Sequence, residues 1–276
     1  MPNNIWFSEI FKDNQGLTLK VSEVLLKKQS EYQEILIFKN PHLGTVMALD
    51  GALMLSDLDE HMYHHALTSY GMQNVLSNVL DNGTTCENAE NGVPLHVHNL
   101  NILVVGGGDG GIVRDLFKKY EKHINKVTMV EIDEEVINAS RKFFPKVASA
   151  LNHPKLDLRC EDALKFIETS PEGYFDLILC DSTDPVGFAA GLIEEDFYKK
   201  VKRTMKAHGI FCAQSGSPFF QKDELEKAQK NLAKVFSEVH TFYAPMLVYP
   251  GVIWSYTAAG EAIINKKNLD LAEFIY

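Results

Sequence analysis

The stretch "NILVVGGGDGGIVRDLF", residues 101 to 117, constrains this chain more than any other. A β-rich apolar run meets a cluster of glycines and then a helix-like segment, the order of a strand, a tight loop and a helix. Gly106, Gly108 and Gly111 stand in a GxGxxG frame. Glycines there let the chain turn tightly and let a ligand approach the backbone. The frame by itself is common, but its context is stronger. Glu131 ends the next strand-like run, "VTMVEID", twenty residues beyond Gly111. An acid in that place accepts both ribose hydroxyl hydrogens in nucleoside-binding folds. Gly106, Gly108 and Glu131 are therefore expected at a nucleoside.

Asp109 narrows the choice of nucleoside. It lies inside the glycine loop, where it repels a pyrophosphate and favours a ligand with positive charge. A sulfonium nucleoside fits better than a dinucleotide. From Asn101 onward, strand and helix patterns alternate, with strands at "NILVVG", "KVTMVEI", "LDLRC", "FDLILCD" and "GIFCAQS". The helix "DELEKAQKNLAKVF" follows, and "VHTFYAPMLV" and "GVIWSYTAAG" close the pattern as a hairpin, so one of them runs antiparallel. The expected class is α/β: a doubly wound, mostly parallel seven-stranded sheet with helices on both faces. This resembles the Rossmann-like fold of S-adenosylmethionine-dependent methyltransferases. In such folds the acid ending the third strand, here Asp162 in "LRCEDA", contacts the adenine amine; it also reads as an N-cap for a helix at Ala163.

Ahead of this unit, "LTLKVSEVLL", "YQEILIFK" and "GTVMALDGALML" read as β, giving an N-terminal β domain over residues 1–56. A helix from Asp57 to Gln73 and a long Asn/Gly-rich loop over 77–99 fill a connecting segment, 57–99, before the catalytic domain at 100–276. No apolar run approaches the roughly 20 residues a bilayer requires, and "MPNNIWFSEIF" lacks the order of a signal peptide. The cysteines Cys86, Cys160, Cys180 and Cys212 are scattered, which suggests reduced core thiols in a cytoplasmic protein. A net charge of -10 argues against nucleic acid as partner and suits cationic ligands.

Residues 181 to 191, "DSTDPVGFAAG", place Asp181 and Asp184 three apart where a strand runs into a loop. Turn chemistry alone explains such a pair in most proteins. Taken with the rest, "YQEILIF", "LDGALMLSDLDEHMYHHAL", "GGGDGG", "EID", "CDSTDPVG" and "YPG" together resemble the spermidine synthases, the polyamine aminopropyltransferases, from about Trp6 to Ala259. The resemblance implies transfer of the aminopropyl group of decarboxylated S-adenosylmethionine to a diamine, most plainly putrescine, with that nucleoside as co-substrate and no prosthetic group. It implies that Gln33 and Glu131 hold the donor, with Gly106 and Gly108 in the loop, Asp162 and Ala163 at the adenine, and Asp109 on the donor's ammonium. Tyr63, His64, Asp181, Ser182, Thr183, Asp184 and Tyr249 would line the acceptor channel, with Asp181 as proton acceptor. A homodimer or homotetramer formed through the N-terminal β segment is implied as well.

The chemistry makes a matching demand. Both reactants are cations, so joining them costs Coulomb energy unless carboxylates surround them. With an amine pKa of ~10, few acceptor molecules are neutral at pH 7, so a carboxylate that takes the proton assists the attack. The chain departs from the family at several places. Phe188 stands where the family has proline and is expected against the nucleoside, Ala190 replaces an acid, residue 65 is His where Glu is common, the 77–99 segment is expanded, and the C-terminus is short. His61 and His65, one helical turn apart, make no complete metal set. A small-molecule methyltransferase and a non-catalytic polyamine or nucleoside sensor are the rival readings; Asp109 weighs against the first and Asp181 against the second.

Overall fold

The computed structural model describes residues 5–11, 13, 15–81, 89–90, 93–94, 99–182, 191–264 and 266. The chain opens with a hairpin of β1 (Ile5–Phe11) and β2 (Gln15–Val21), then a four-stranded antiparallel sheet of β3 (Glu23–Gln29), β4 (Glu34–Asn40), β5 (Gly44–Leu49) and β6 (Ala52–Ser56). The run "LTLKVSEVLL" is thus two strands in two sheets, broken at Ser22, and "IWFSEIF" is a strand that the sequence reading did not anticipate. Asp50 and Gly51, both at positive φ, make the two-residue turn between β5 and β6.

Helix α1 runs over Glu60–Asp81, which corrects the expected end at Gln73 and the expected start of a loop at 77. The Asn- and Ser-rich sequence there looks loop-like, yet Val75 and Val79 continue the buried stripe. Asn78 is also buried, and its amide donates to the carbonyls of His208 and Ala262 at 3.2 and 3.0 Å. Polar residues are accommodated in the helix because their hydrogen bonds are made inside the protein. Short strands β7 (Ala89–Glu90) and β8 (Val93–Pro94) pair antiparallel. The rest of the expected loop lies outside the described residues.

The large sheet comprises β9 (Leu100–Gly106), β10 (Ile124–Glu131), β11 (Leu156–Cys160), β12 (Phe175–Asp181), β13 (Met205–Gln214), β14 (Glu238–Pro245) and β15 (Ile253–Gly260). Its order is β11-β10-β9-β12-β13-β15-β14, with β15 antiparallel to both neighbours and the remaining pairs parallel. Five helices complete the alternation: α2 (Gly111–Tyr120), α3 (Glu134–Phe143), α4 (Ala163–Thr169), α5 (Glu195–Thr204) and α6 (Lys222–Val235). The near-continuous apolar strands serve two cores at once. Ile102, Val104, Leu177 and Leu179 pack with α1 and α2, while Leu103, Val105, Ile178 and Cys180 pack with α4, α5 and α6. Alternate side chains of a strand point to opposite faces, so helices must cover both. Helix α3 instead packs Val136 and Ala139 against Ile35, Ile37 and Met47 of the N-terminal sheet. Among the expected core thiols, Cys180 and Cys212 are buried, but Cys160 is exposed because β11 is the sheet's edge.

One ion cluster ties the opening of the β12 strand to its neighbours. Asp176, almost fully buried, accepts from the Asn101 amide at 2.8 Å and from Lys206 Nζ and His208 Nε2 at 2.9 Å. Burial opposes its charge, yet His208, Asn101 and Lys206 together hold its carboxyl below the usual range. Its contribution is therefore present near neutrality and lost as pH falls below the ordinary carboxylate range. Asp176→Ala leaves these donors without their acceptor and is expected to cost about 3 kcal/mol at pH 7 by urea unfolding. The loss relative to wild type should shrink at pH 3.

Candidate active site

A cleft of about 850 Å³ opens at the carboxyl ends of β9, β10 and β12 and is closed from the other side by β1, the β5–β6 hairpin and α1. That edge is where parallel sheets bind ligands, since the loops diverge there. Gly106 ends β9 at φ +78°, and a Cβ on it would lie 2.2 Å from the Asp181 carbonyl oxygen. No side chain fits, so the glycine loop and the β12 end lie against one another, with the Gly107 amide donating to that carbonyl at 3.2 Å.

At one end of the cleft Glu131 closes β10. Its carboxylate accepts from the Gly108 amide at 3.1 Å and the Asp133 amide at 2.9 Å, while both oxygens keep further lone pairs. Burial pushes its pKa up to about 7; the backbone donors only partly offset this, and Asp133 and Asp181 add to the rise. Gln33 reaches the same end from the turn before β4, with its amide donating to Asp133 at 3.0 Å. Ser30 donates to the same carboxylate oxygen at 2.7 Å, so the N-terminal sheet is fastened to the start of α3 near Glu131. Asp162 caps α4 through the Leu164 amide at 2.9 Å and also lines the cleft beside Ala163. Both expectations for Asp162 are compatible with that placement.

At the centre stand Asp109, His64 and Asp181, one polar atom of each lying within 4.8 Å of the others. Tyr63 donates its hydroxyl hydrogen to Asp181. Burial and Asp109 raise the Asp181 pKa to about 6, against the lowering influence of His64 and Tyr63. Asp109 is held low: burial opposes its charge, but His64 and the Gly111 amide outweigh it. His64 is buried between two acids, Nδ1 lying 2.6 Å from Glu60 and Nε2 3.2 Å from Asp109. Burial disfavours its charge, and Asp109 and Glu60 together hold its pKa well above the ordinary value. Both ring nitrogens thus face carboxylates, Glu60 on one side and Asp109 on the other. Tyr249 packs edge-on to Tyr63 at 5.8 Å and donates to the Met54 carbonyl at 2.8 Å.

Every site residue expected from the sequence and lying among the described residues lines this one cleft: Gln33, Tyr63, His64, Gly106, Gly108, Asp109, Glu131, Asp162, Ala163, Asp181, Ser182 and Tyr249. Thr183, Asp184 and Phe188, with the departures around them, lie outside the described residues. Several lining residues were missed. Glu60 carried a legible signal, an acid four positions before His64 on a predicted helix. Glu9, whose carboxylate accepts from the Leu53 amide at 3.2 Å, and Trp254, whose indole donates to Gln214 at 3.1 Å, carried none. His65 Nδ1 lies 2.8 Å from Ser69 Oγ and 2.6 Å from Lys119 Nζ. Among the described residues no helix is long and apolar enough to cross a membrane.

The arrangement, a buried acid at one end of a cleft and paired acids at its centre, suits a cationic ligand. Comparison with known proteins agrees. Residues 89–269 match the spermine/spermidine synthase domain and residues 5–57 the spermidine synthase tetramerisation domain. The polyamine aminopropyltransferase of Thermoplasma acidophilum is 36% identical over 97% of this chain and 89% of its own length. That of Bacillus subtilis is 32% identical over 94% and 85%. A spermidine synthase crystallised with the transition-state analogue AdoDATO superposes with a TM-score of 0.84 at 28% identity, covering all of this chain and 94% of that one. Spermidine synthase from Thermotoga maritima gives 0.82 at 29%, covering all of this chain and 93% of its own. With sequence, fold and cleft pointing one way, the chain belongs to the spermine/spermidine synthase family, the polyamine aminopropyltransferases.

Proposed function

We propose that this enzyme moves the aminopropyl group of decarboxylated S-adenosylmethionine to putrescine, giving spermidine and methylthioadenosine. The observation that carries this reading is the placement of Asp109 and Asp181 side by side at the centre of a cleft whose nucleoside end is Glu131. Glu131 accepts the ribose hydroxyls, Gln33 supports that end, and Asp162 with Ala163 borders the adenine. Asp109 pairs with the donor's ammonium. The acceptor nitrogen attacks the propyl carbon next to sulfur, the carbon–sulfur electron pair returns to sulfur, and the displaced proton passes from nitrogen to Asp181. A carboxylate raised to about 6 is a better match to an amine than an ordinary one, and Tyr63 holds it in place. Ser182, Thr183, Asp184 and the rings of Tyr63 and Tyr249 are assigned to the acceptor, and Phe188 to the nucleoside. A family relative that binds AdoDATO supports a nucleoside-linked reaction of this kind. The match of residues 5–57 to a tetramerisation domain supports a homo-oligomer joined through the N-terminal β segment.

Three outcomes are expected. Asp181→Asn should lower kcat about 100-fold or more in an assay that follows spermidine formation, the loss typical of a general base. A variant turning over near the wild-type rate across pH removes Asp181 from that role. Asp109→Asn should weaken decarboxylated S-adenosylmethionine more than methylthioadenosine, which has no ammonium; equal losses by calorimetry would leave Asp109 only a loop-shaping part. Thirdly, burial holds Glu131 up to about 7, and the ionised carboxylate is the form that accepts two hydroxyls. Methylthioadenosine affinity should therefore rise with pH toward about 7 and level off above it. Titrations at pH 5.5 and 8 check this, and Glu131→Gln should remove most of the dependence.

A further inference from the structure

His64 is enclosed by charge to a degree that contact with a substrate does not require. Arg114 Nη1 and Nη2 donate to the two Glu60 oxygens at 2.7 and 2.9 Å, and Glu60 Oε2 also faces His64 Nδ1 at 2.6 Å. Arg114 is itself anchored on Asp115 Oδ1, from Nε at 3.1 Å and Nη2 at 2.9 Å, and Asp115 in turn binds Lys119 at 3.0 Å. Glu60 already accepts on both oxygens, so Nδ1 of His64 must be the donor toward it. Nε2 then faces Asp109 either as an N–H or as a lone pair, and that choice is the charge of the ring. Asp109 accepts from the Gly111 amide at 2.6 Å on its other oxygen, which favours its ionised form and hence the N–H. The ring lies so close against Gly111 that a Cβ there would sit 2.2 Å from His64 Cε1, so this position admits only glycine beside the ring.

Other titratable groups also face this centre. Tyr63 packs edge-on to the ring at 5.5 Å, and Asp181 lies across it from the end of β12. Asp181 in turn acts on Glu131 from β10, Tyr249 from the turn after β14 and Tyr256 from β15, raising the pKa of each. Within that group, His64 is the ring that separates Glu60 from the two central acids.

We propose that Glu60 and Arg114 are positioning residues: Arg114 fixes Glu60, Glu60 holds the His64 ring as a cation donating from both nitrogens, and that cation sets how much negative charge Asp109 and Asp181 present to the substrates. The effect on turnover rests on the reaction proposed above, whereas the state of the ring does not. Arginine suits the task because its planar fork engages both carboxylate oxygens and never loses its proton. The directions of the titrations agree, since Glu60 is lowered to about 2 despite burial by His64 and Arg114, and His64 lowers Asp181. Without the cation, Asp109 and Asp181 would repel each other unrelieved, and Asp181 would take up its proton at higher pH.

The test uses the full chain labelled with nitrogen-15, with the His64 ring signals assigned by comparison with His64→Asn. Wild type should show both His64 nitrogens protonated at pH 7.5. In Glu60→Gln the ring should have lost that charge already at pH 5.5. The acid limb of kcat/KM should then move up by about one pH unit, lowering kcat/KM at pH 5.5 about tenfold with little change at pH 8.5. Methylthioadenosine affinity at pH 8.5 should match wild type, and Arg114→Lys, which keeps a cation on Glu60, should keep its acid limb near the wild-type position. A neutral His64 in wild type at pH 7.5, or a Glu60→Gln profile that superposes on wild type, overturns the proposal. If Glu60→Gln fails to fold, the wild-type spectrum still decides the charge of the ring. If wild type transfers no aminopropyl group, the proposed reaction falls while the spectrum still judges the ring.

Discussion

The cleft depends on holding several carboxylates together where little water reaches them. Buried acids ordinarily protonate or acquire partners. Here the partners are distributed unequally. Glu60 has Arg114 and His64 and is lowered to about 2, whereas Glu131, among the described residues, has backbone donors alone and rises to about 7. Asp181, with a tyrosine hydroxyl and a shared imidazole, lies between them at about 6. The acids least compensated, Glu131 and Asp181, and the most compensated, Glu60, therefore line the same cleft.

The fold makes this placement possible by letting separate elements end at one edge. Strands β9, β10 and β12 deliver the glycine loop, Glu131 and Asp181 there, as expected of a parallel sheet. The N-terminal segment supplies the opposite wall. Glu9 accepts from Leu53 within it, Met54 accepts from Tyr249, and Gln33 and Ser30 are tied to Asp133. The bonds of Met54, Gln33 and Ser30 cross from the N-terminal segment to Tyr249 and Asp133, so the β segment helps to shape the site as well as carrying the match to a tetramerisation domain.

Much of this was legible because its signals are local. Apolar runs bounded by turn residues marked the seven strands of the large sheet, and the missing helix between the last two required their hairpin. The readings that failed depended on neighbours distant in sequence. Asn78 looks like a loop residue until its amide is seen bonded to the His208 and Ala262 carbonyls. Cys160 has the setting of a core thiol until β11 proves to be an edge. Arg114 looks like an ordinary helix arginine, because its partner Glu60 is 54 positions away.

The sequence by itself determined the strand–loop–helix nucleoside frame, the fold class and the residue types at the site, since periodicity and glycine spacing act over a few residues. Only the tertiary structure decided which partners surround each acid and that His64 sits between Glu60 and Asp109. Those properties depend on burial and on charges brought within a few ångströms from α1, α2 and the ends of separate strands, and such proximity is not encoded in any single stretch of the chain.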